Sequence, residues 1–196
     1  MRRNLFCAGA VSVLLAGCSL GLTQKAPPFL LTLTPDERPA ASAGAMVEEG
    51  DRLTVATPLA PQAIATTRVP VAQGQTALAY VPKAVWVEQP ARLFQRLVAE
   101  TIRVRSGRVV LDPRQFSMTP GGLLSGQLLR FDIDEGRREA VVIYDATLSG
   151  EGDRPVQTRR FEARVPVSRI DARGVGPALN RAANLVARDV ADWVKR

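Results

Sequence analysis

The sequence predicts an α+β domain of two layers: a largely antiparallel β-sheet with two main helices packed on one face. Three observations carry that prediction. Two stretches, about Pro90–Ser106 and Pro177–Val194, repeat apolar residues at helical spacing. Between them, residues 108–167 alternate apolar with polar positions, or run apolar, as strands do. Short turns join the last three of these strands, so they read as an antiparallel meander that the helices cover as a second layer.

Taken in order, Phe29–Thr34 (FLLTLT) reads as a first strand, stopped by Pro35. Residues 36–51 are poor in large apolar side chains and rich in Ala, Glu and Gly, which predicts a mobile loop. Arg52–Thr57 is a second strand with Leu53 and Val55 on one face, ended by Pro58 and Pro61. Thr76–Val81 is a third, set between the Gln73-Gly74-Gln75 turn and Pro82. Pro90 suits the first turn of a helix, where its missing N–H is no loss. Leu93, Phe94, Leu97, Val98 and Ile102 form that helix's stripe, and Gly107 stops it.

Arg108–Leu111 is a short strand. In Leu123–Asp134, Leu129, Phe131 and Ile133 share one face, and Arg130, Asp132 and Asp134 the other. Glu135-Gly136 is a tight turn. Arg138–Leu148 is apolar on both faces in its middle, as a central strand is. Residues 149–155 connect it to Val156–Val167, where Phe161, Ala163 and Val165 face in and Thr158, Arg160, Glu162 and Arg164 face out. The last helix carries Leu179, Ala182, Val186, Val190, Trp193 and Val194 on its stripe, with Lys195 and Arg196 at its favourable C-terminal end. No internal repeat occurs.

Composition excludes several function classes. The chain has 196 residues, a net charge of +7 and no histidine. A Ser-His-Asp triad, a Cys-His dyad and histidine-ligated zinc are therefore ruled out. Cys7 and Cys18 are the only cysteines, too few for a four-cysteine metal site or a disulfide framework. Ser125 and Ser149 lie near glycines without a G-x-S-x-G setting. Asp132, Asp134 and Glu135 lack the spacing of a calcium loop. No cofactor and no catalytic residue is expected.

The N-terminus states a destination. Arg2 and Arg3 precede Leu5–Ala16, an uncharged run too short to span a bilayer but of the length of a signal-peptide core. It ends in Leu14-Leu15-Ala16-Gly17-Cys18, which resembles the bacterial lipobox. The resemblance implies cleavage after Gly17, a thioether lipid on Cys18 and acylation of the new amino terminus. The chemistry requires a thiol there, because the thiolate is the nucleophile. Two or more acyl chains anchor a protein stably where one does not. The processed chain sheds Cys7 and two positive charges, keeps no free thiol and leaves the cytoplasm, which argues against nucleic acid as a partner. The serine at position 19 is the residue that, in enteric lipoproteins, favours the outer membrane. The organisation expected is a signal peptide (1–17), a lipidated tether (18–28) and one α+β domain (29–196).

The order of features resembles the PqiC-like ABC-type transport auxiliary lipoprotein family. The shared pieces are the lipobox, FLLTLTP, Leu78-Ala79-Tyr80, Trp86, Pro90-Ala91-Arg92-Leu93, Leu129-Arg130-Phe131-Asp132 and the terminal Trp193. Where the family usually has tyrosine in the first strand, Phe29 and Leu30 stand. The resemblance implies a non-catalytic partner of an intermembrane lipid transport system. It would work with a periplasmic MCE-domain protein and an ABC permease and ATPase on other chains, in keeping with the missing G-x-x-x-x-G-K-[ST] loop. The cargo implied is phospholipid or another hydrophobic molecule. Two other classes stay open: a lipoprotein that itself holds a small hydrophobic ligand, and a purely structural envelope lipoprotein. Self-association also stays open.

Five residues are candidates for partner contact. Tyr80 and Trp86 are of the types enriched at interface hot spots, though packing of helix on sheet explains them as well. Arg159, Arg160 and Arg164 stand among 23 arginines against three lysines. They offer a basic face for lipid phosphate or an acidic partner, or else a solvated face balanced by Glu139, Glu151, Asp153 and Glu162.

Overall fold

The computed structural model describes residues 27–37, 52–111, 121–150 and 155–195. The signal peptide, Cys18, Ser19, most of the tether, residues 38–51 of the expected loop and residues 151–154 of the connecting turn lie outside them.

The described elements run β1 (Arg52–Val55), β2 (Arg68–Gln73), β3 (Ala77–Val85), α1 (Pro90–Ser106), β4 (Val109–Leu111), β5 (Gly122–Asp134), β6 (Glu139–Ser149), β7 (Gln157–Pro166) and α2 (Ala172–Val194). They form the predicted α+β arrangement, a seven-stranded sheet with the helices packed on it. The sheet is mixed. β2–β3, β5–β6 and β6–β7 pair antiparallel, while β1–β4, β1–β5 and β2–β5 pair parallel. β5 is long enough to organise it. One edge pairs with β6 along its whole length, and the other takes β1 at its start and β2 at its end. The parallel pairs arise because residues 52–73 run alongside β5 in its own direction.

The helices share one face. Phe94 of α1 packs edge-on against Tyr144, with ring centroids 5.2 Å apart. Trp193 of α2 lies 5.6 Å from Phe161, the register partner of Tyr144. The core between the layers is built of Leu, Val, Ile and Ala around Trp86, Phe94, Phe131 and Tyr144. Such burial is the main favourable contribution to folding.

Local signals account for α1 closely. Pro90 starts it, and Gly107 ends it in the left-handed conformation at φ 71°. Elsewhere the structure departs from expectation. α2 begins at Ala172, five residues before Pro177, because the Asp171 carboxylate caps it, accepting from the backbone N–H of Arg173 (3.0 Å) and Gly174 (2.8 Å). β2 was not expected, since Pro70 interrupts its pattern. Proline there withholds one N–H from the ladder and is nonetheless accommodated opposite Tyr80. β3 runs on past Pro82 to Val85 through a register shift that holds Lys83 at φ 62°. β5 has a bulge between Leu128 and Arg130. It leaves Leu129 as the extra residue and turns Leu128, not Leu129, into the core with Phe131 and Ile133. The expected first strand is reduced to one bridge, Leu31 with Trp86, followed by a strap across α2.

Candidate functional site

The strap, residues 27–37, joins the expected tether to the body and is tied down at three places. First, the Leu31 N–H donates to the Val85 carbonyl at 2.7 Å, and the Val87 N–H donates to the Leu31 carbonyl at 2.9 Å. The Leu31 side chain enters the core against Gly176, where a Cβ would come within 2.8 Å of Leu31 Cδ2. A side chain at 176 would therefore make the end of the Leu31 side chain shift.

Second, two asparagines on α2 hydrogen-bond the strap much as a neighbouring strand would. The Thr34 N–H donates to Asn180 Oδ1 at 2.8 Å, Asn184 Nδ2 donates to the Thr34 carbonyl at 2.9 Å, and the Asp36 N–H donates to Asn184 Oδ1 at 2.9 Å. Asn180 and Asn184 stand one helical turn apart, so both amides face the strap. Asn184 is only 2% exposed, and its second Nδ2 proton reaches the Asn180 carbonyl at 2.9 Å. A buried amide so satisfied favours one register of the strap over its neighbours.

Third, Arg105 at the end of α1 gathers strap and helix together. Its guanidinium grips Asp192 of α2 through Nε (3.0 Å) and Nη2 (3.1 Å) and meets Glu37 of the strap through Nη1 (2.8 Å). The bonds to Asp192 and the nearby Glu37 both favour its charged form. The strap is thus fastened to both helices and to the sheet. Mechanical load on the N-terminus would pass into the core.

The candidate contact residues fall in different places. Trp86 is 1% exposed and packs edge-on against Phe131, with centroids 5.5 Å apart. It is a core residue, and its side chain presents no surface to a partner. Tyr80 is half-buried; its hydroxyl donates to the Ala63 carbonyl at 3.4 Å, and the Arg68 guanidinium lies 3.8 Å from its ring centroid.

The three arginines do not form one basic face. Arg160 and Arg164 lie on the sheet face away from the helices, while Arg159, alternating with Arg160, sits over the Phe161 ring at 5.2 Å. Arg160 holds Asp145 with two bonds of 2.6 and 2.7 Å, and this guanidinium keeps the Asp145 carboxyl below its ordinary range. Arg164 pairs with Glu162 at 2.6 Å and with Glu139 at 3.7 Å. Beside them Arg130 holds Asp132 with bonds of 3.0 and 2.6 Å. That part of the sheet is a lattice of matched charges. In the acidic cluster, Asp134 Oδ1 accepts the Arg137 N–H at 3.0 Å, so it closes a turn.

Asn180, Asn184, Gly176 and Arg105 were not singled out by sequence. The signal was present in part, as two asparagines four residues apart in an alanine-rich helix, Asn184 among its buried residues. Among the described residues no helix is long and apolar enough to cross a membrane.

Comparison with known proteins agrees with this architecture. A crystal structure of a DUF330 family protein from Xanthomonas campestris superposes with a TM-score of 0.67 at 20% identity, covering 85% of this chain and 94% of that one. A second crystal structure, of an uncharacterized protein, matches with a TM-score of 0.64 at 10% identity, covering 85% and 99%. At such identities the likeness is one of fold. No curated protein matches by sequence. Residues 29–191 match the family described as the ABC-type transport auxiliary lipoprotein component. That span takes in most of the strap, the whole sheet, α1, α2 up to Ala191 and both clamping asparagines, and the chain belongs to this family of transport auxiliary lipoproteins.

Proposed function

We propose that the protein is a non-catalytic, lipid-anchored component of an ABC/MCE-type intermembrane phospholipid transport system, in which it docks the periplasmic MCE protein. Family membership supplies the transport-auxiliary role and a place in the cell envelope. The observation that carries the reading further is the strap: the first described residues are bonded to the sheet and to both helices within one short segment. A lipid on Cys18 would keep this body close to its membrane, and a partner pulling on the body would pull on the anchor. Ser19 supports the outer membrane as that membrane. The chemistry, ATP hydrolysis included, belongs to other chains. Work of this kind needs a rigid body and an anchor, and no proton-transfer group.

The test is affinity purification of the native lipoprotein from detergent-solubilised envelopes after mild cross-linking. The expected result is co-recovery of an MCE-domain protein with its permease and ATPase. Recovery of none of these, with phospholipid bound to the isolated protein in stoichiometric amount, would replace this reading with that of a lipoprotein that carries a hydrophobic ligand itself.

A further inference from the structure

The sheet face turned away from the helices changes character from one end to the other. Across β5–β7 Arg130, Arg160 and Arg164 are each matched by a carboxylate. At the Leu31–Trp86 bridge and along the β2–β3 hairpin the face carries apolar side chains instead. Leu30 is 52%, Val87 48% and Leu78 46% exposed. Leu30 adjoins Leu31, whose side chain meets α2, so strand alternation turns Leu30 outward. Val87 follows the buried Trp86 and turns outward for the same reason. On the same face of the hairpin Pro70 pairs with Tyr80 and Ala72 with Leu78, and Arg68, the register partner of Val85, lies over the Tyr80 ring between these and Val87. Lys83 projects from the bulge of β3. Neither Arg68 nor Lys83 has a carboxylate partner among the described residues. Exposed apolar side chains interspersed with cations that lack a carboxylate partner suit a phospholipid surface, where the former enter the headgroup boundary and the latter meet phosphate.

Chain length points the same way. Residues 18–26 separate Cys18 from Pro27 and span at most about 32 Å when fully extended. A domain of this size has a radius of gyration of about 15 Å and so a diameter of about 40 Å. The pole opposite the start of the strap therefore cannot reach the bilayer, and the side that carries Leu30 can.

We infer that this face, a row of Leu78, Tyr80, Val87 and Leu30 with Arg68 and Lys83 set among them, rests on the phospholipid surface in which Cys18 is anchored. The inference rests on lipid attachment at Cys18. It fixes the orientation of the body: the helix layer faces away from the membrane, toward the periplasm.

The test uses mature lipidated protein in vesicles of phosphatidylethanolamine and phosphatidylglycerol. Cleavage removes Cys7 and the lipid blocks Cys18, so Val87→Cys or Leu185→Cys carries the single free thiol for a polarity-sensitive fluorophore. Leu185 is the control, on the outer side of α2. The expected result is a blue shift and loss of iodide quenching at position 87, none at 185, and reversal at 87 by adding R68E and K83E. Position 87 as wet as 185, both positions dry, or protection at 87 only after envelope proteins are added would each overturn the inference, the last in favour of a protein interface. The mass of the N-terminal peptide separates the two failures: protein without lipid refutes the anchoring reading, whereas lipidated protein with position 87 in water refutes the docking face alone.

Discussion

Replacing Asn184 with alanine should loosen the strap without unfolding the helix that holds it. The side chain makes two hydrogen bonds to the strap, at 2.9 Å each, to the Thr34 carbonyl and from the Asp36 N–H. A hydrogen bond of this kind contributes about 1 kcal/mol net. Alanine returns roughly 0.5 kcal/mol through its better helix propensity. The balance is a loss of about 1–2 kcal/mol, since water can reach the freed strap groups once they lift. A loss of this size corresponds to a roughly 5- to 30-fold increase in the open population. Native-state hydrogen exchange is the assay, read at Leu31, Thr34 and Asp36, whose amides donate to Val85, Asn180 and Asn184. Leu31 and Thr34 should exchange faster by that factor and Asp36, whose acceptor is removed, by at least as much, while Val186 and Val190, in the middle of α2, keep their protection. Strap amides exchanging at the wild-type rate would refute the claim that Asn184 holds the strap. Uniform acceleration throughout α2 would show that the substitution acts on the whole fold instead.

Three further outcomes follow from the same geometry. Trp86→Ala should destabilise the protein by about 3–5 kcal/mol in denaturant unfolding, whereas a surface contact residue would leave stability almost unchanged. Gly126→Ala should cost several times as much as an ordinary glycine substitution: at φ +155°, an added Cβ would stand 2.0 Å from the Asp145 carbonyl oxygen in the adjoining strand, and the expected readout is loss of cooperative thermal unfolding. Burial raises the Tyr144 hydroxyl above its ordinary value. The folded state therefore binds its proton more tightly than the unfolded one does, so this contribution is full below about pH 10 and fades as pH rises further. Tyr144→Phe should flatten that alkaline decline in melting temperature, while costing about 1 kcal/mol at neutral pH through loss of the 3.0 Å bond to the Ser125 carbonyl.

The parts of the fold that were legible are those written in local signals. Pro90 and Gly107 bracket α1 because both act within a turn of where they stand. The apolar middle of residues 138–148 marks β6 as central because neighbours on both sides exclude polar side chains. What was not legible depends on distant partners. The parallel pairing of β1 and β2 with β5 leaves no mark on the alternation of any one strand. The bulge at Leu129 reverses the expected facing of Leu128 and Leu129, since one extra residue flips the period. Pro177 outweighed Asp171 in placing the start of α2, although the cap six residues earlier was present in the sequence. The strap looked like a strand because FLLTLT has a strand's composition, yet after one bridge Thr34 and Asp36 are held by side chains of a helix 146 or more residues away. Tyr80 and the arginines were visible as types, but whether each cation had a carboxylate opposite required the register.

The central claim is that a lipid-anchored N-terminus is continuous, through the strap, with the folded body. The mass of the N-terminal proteolytic peptide, taken from protein isolated from membranes, tests it most directly. The account predicts a peptide that begins at Cys18 and carries a thioether-linked diacylglycerol and an amide-linked acyl chain, and it predicts release of the protein from membranes when Cys18→Ala removes the attachment site. A peptide that retains residues 1–17 with an unmodified Cys18 would contradict it.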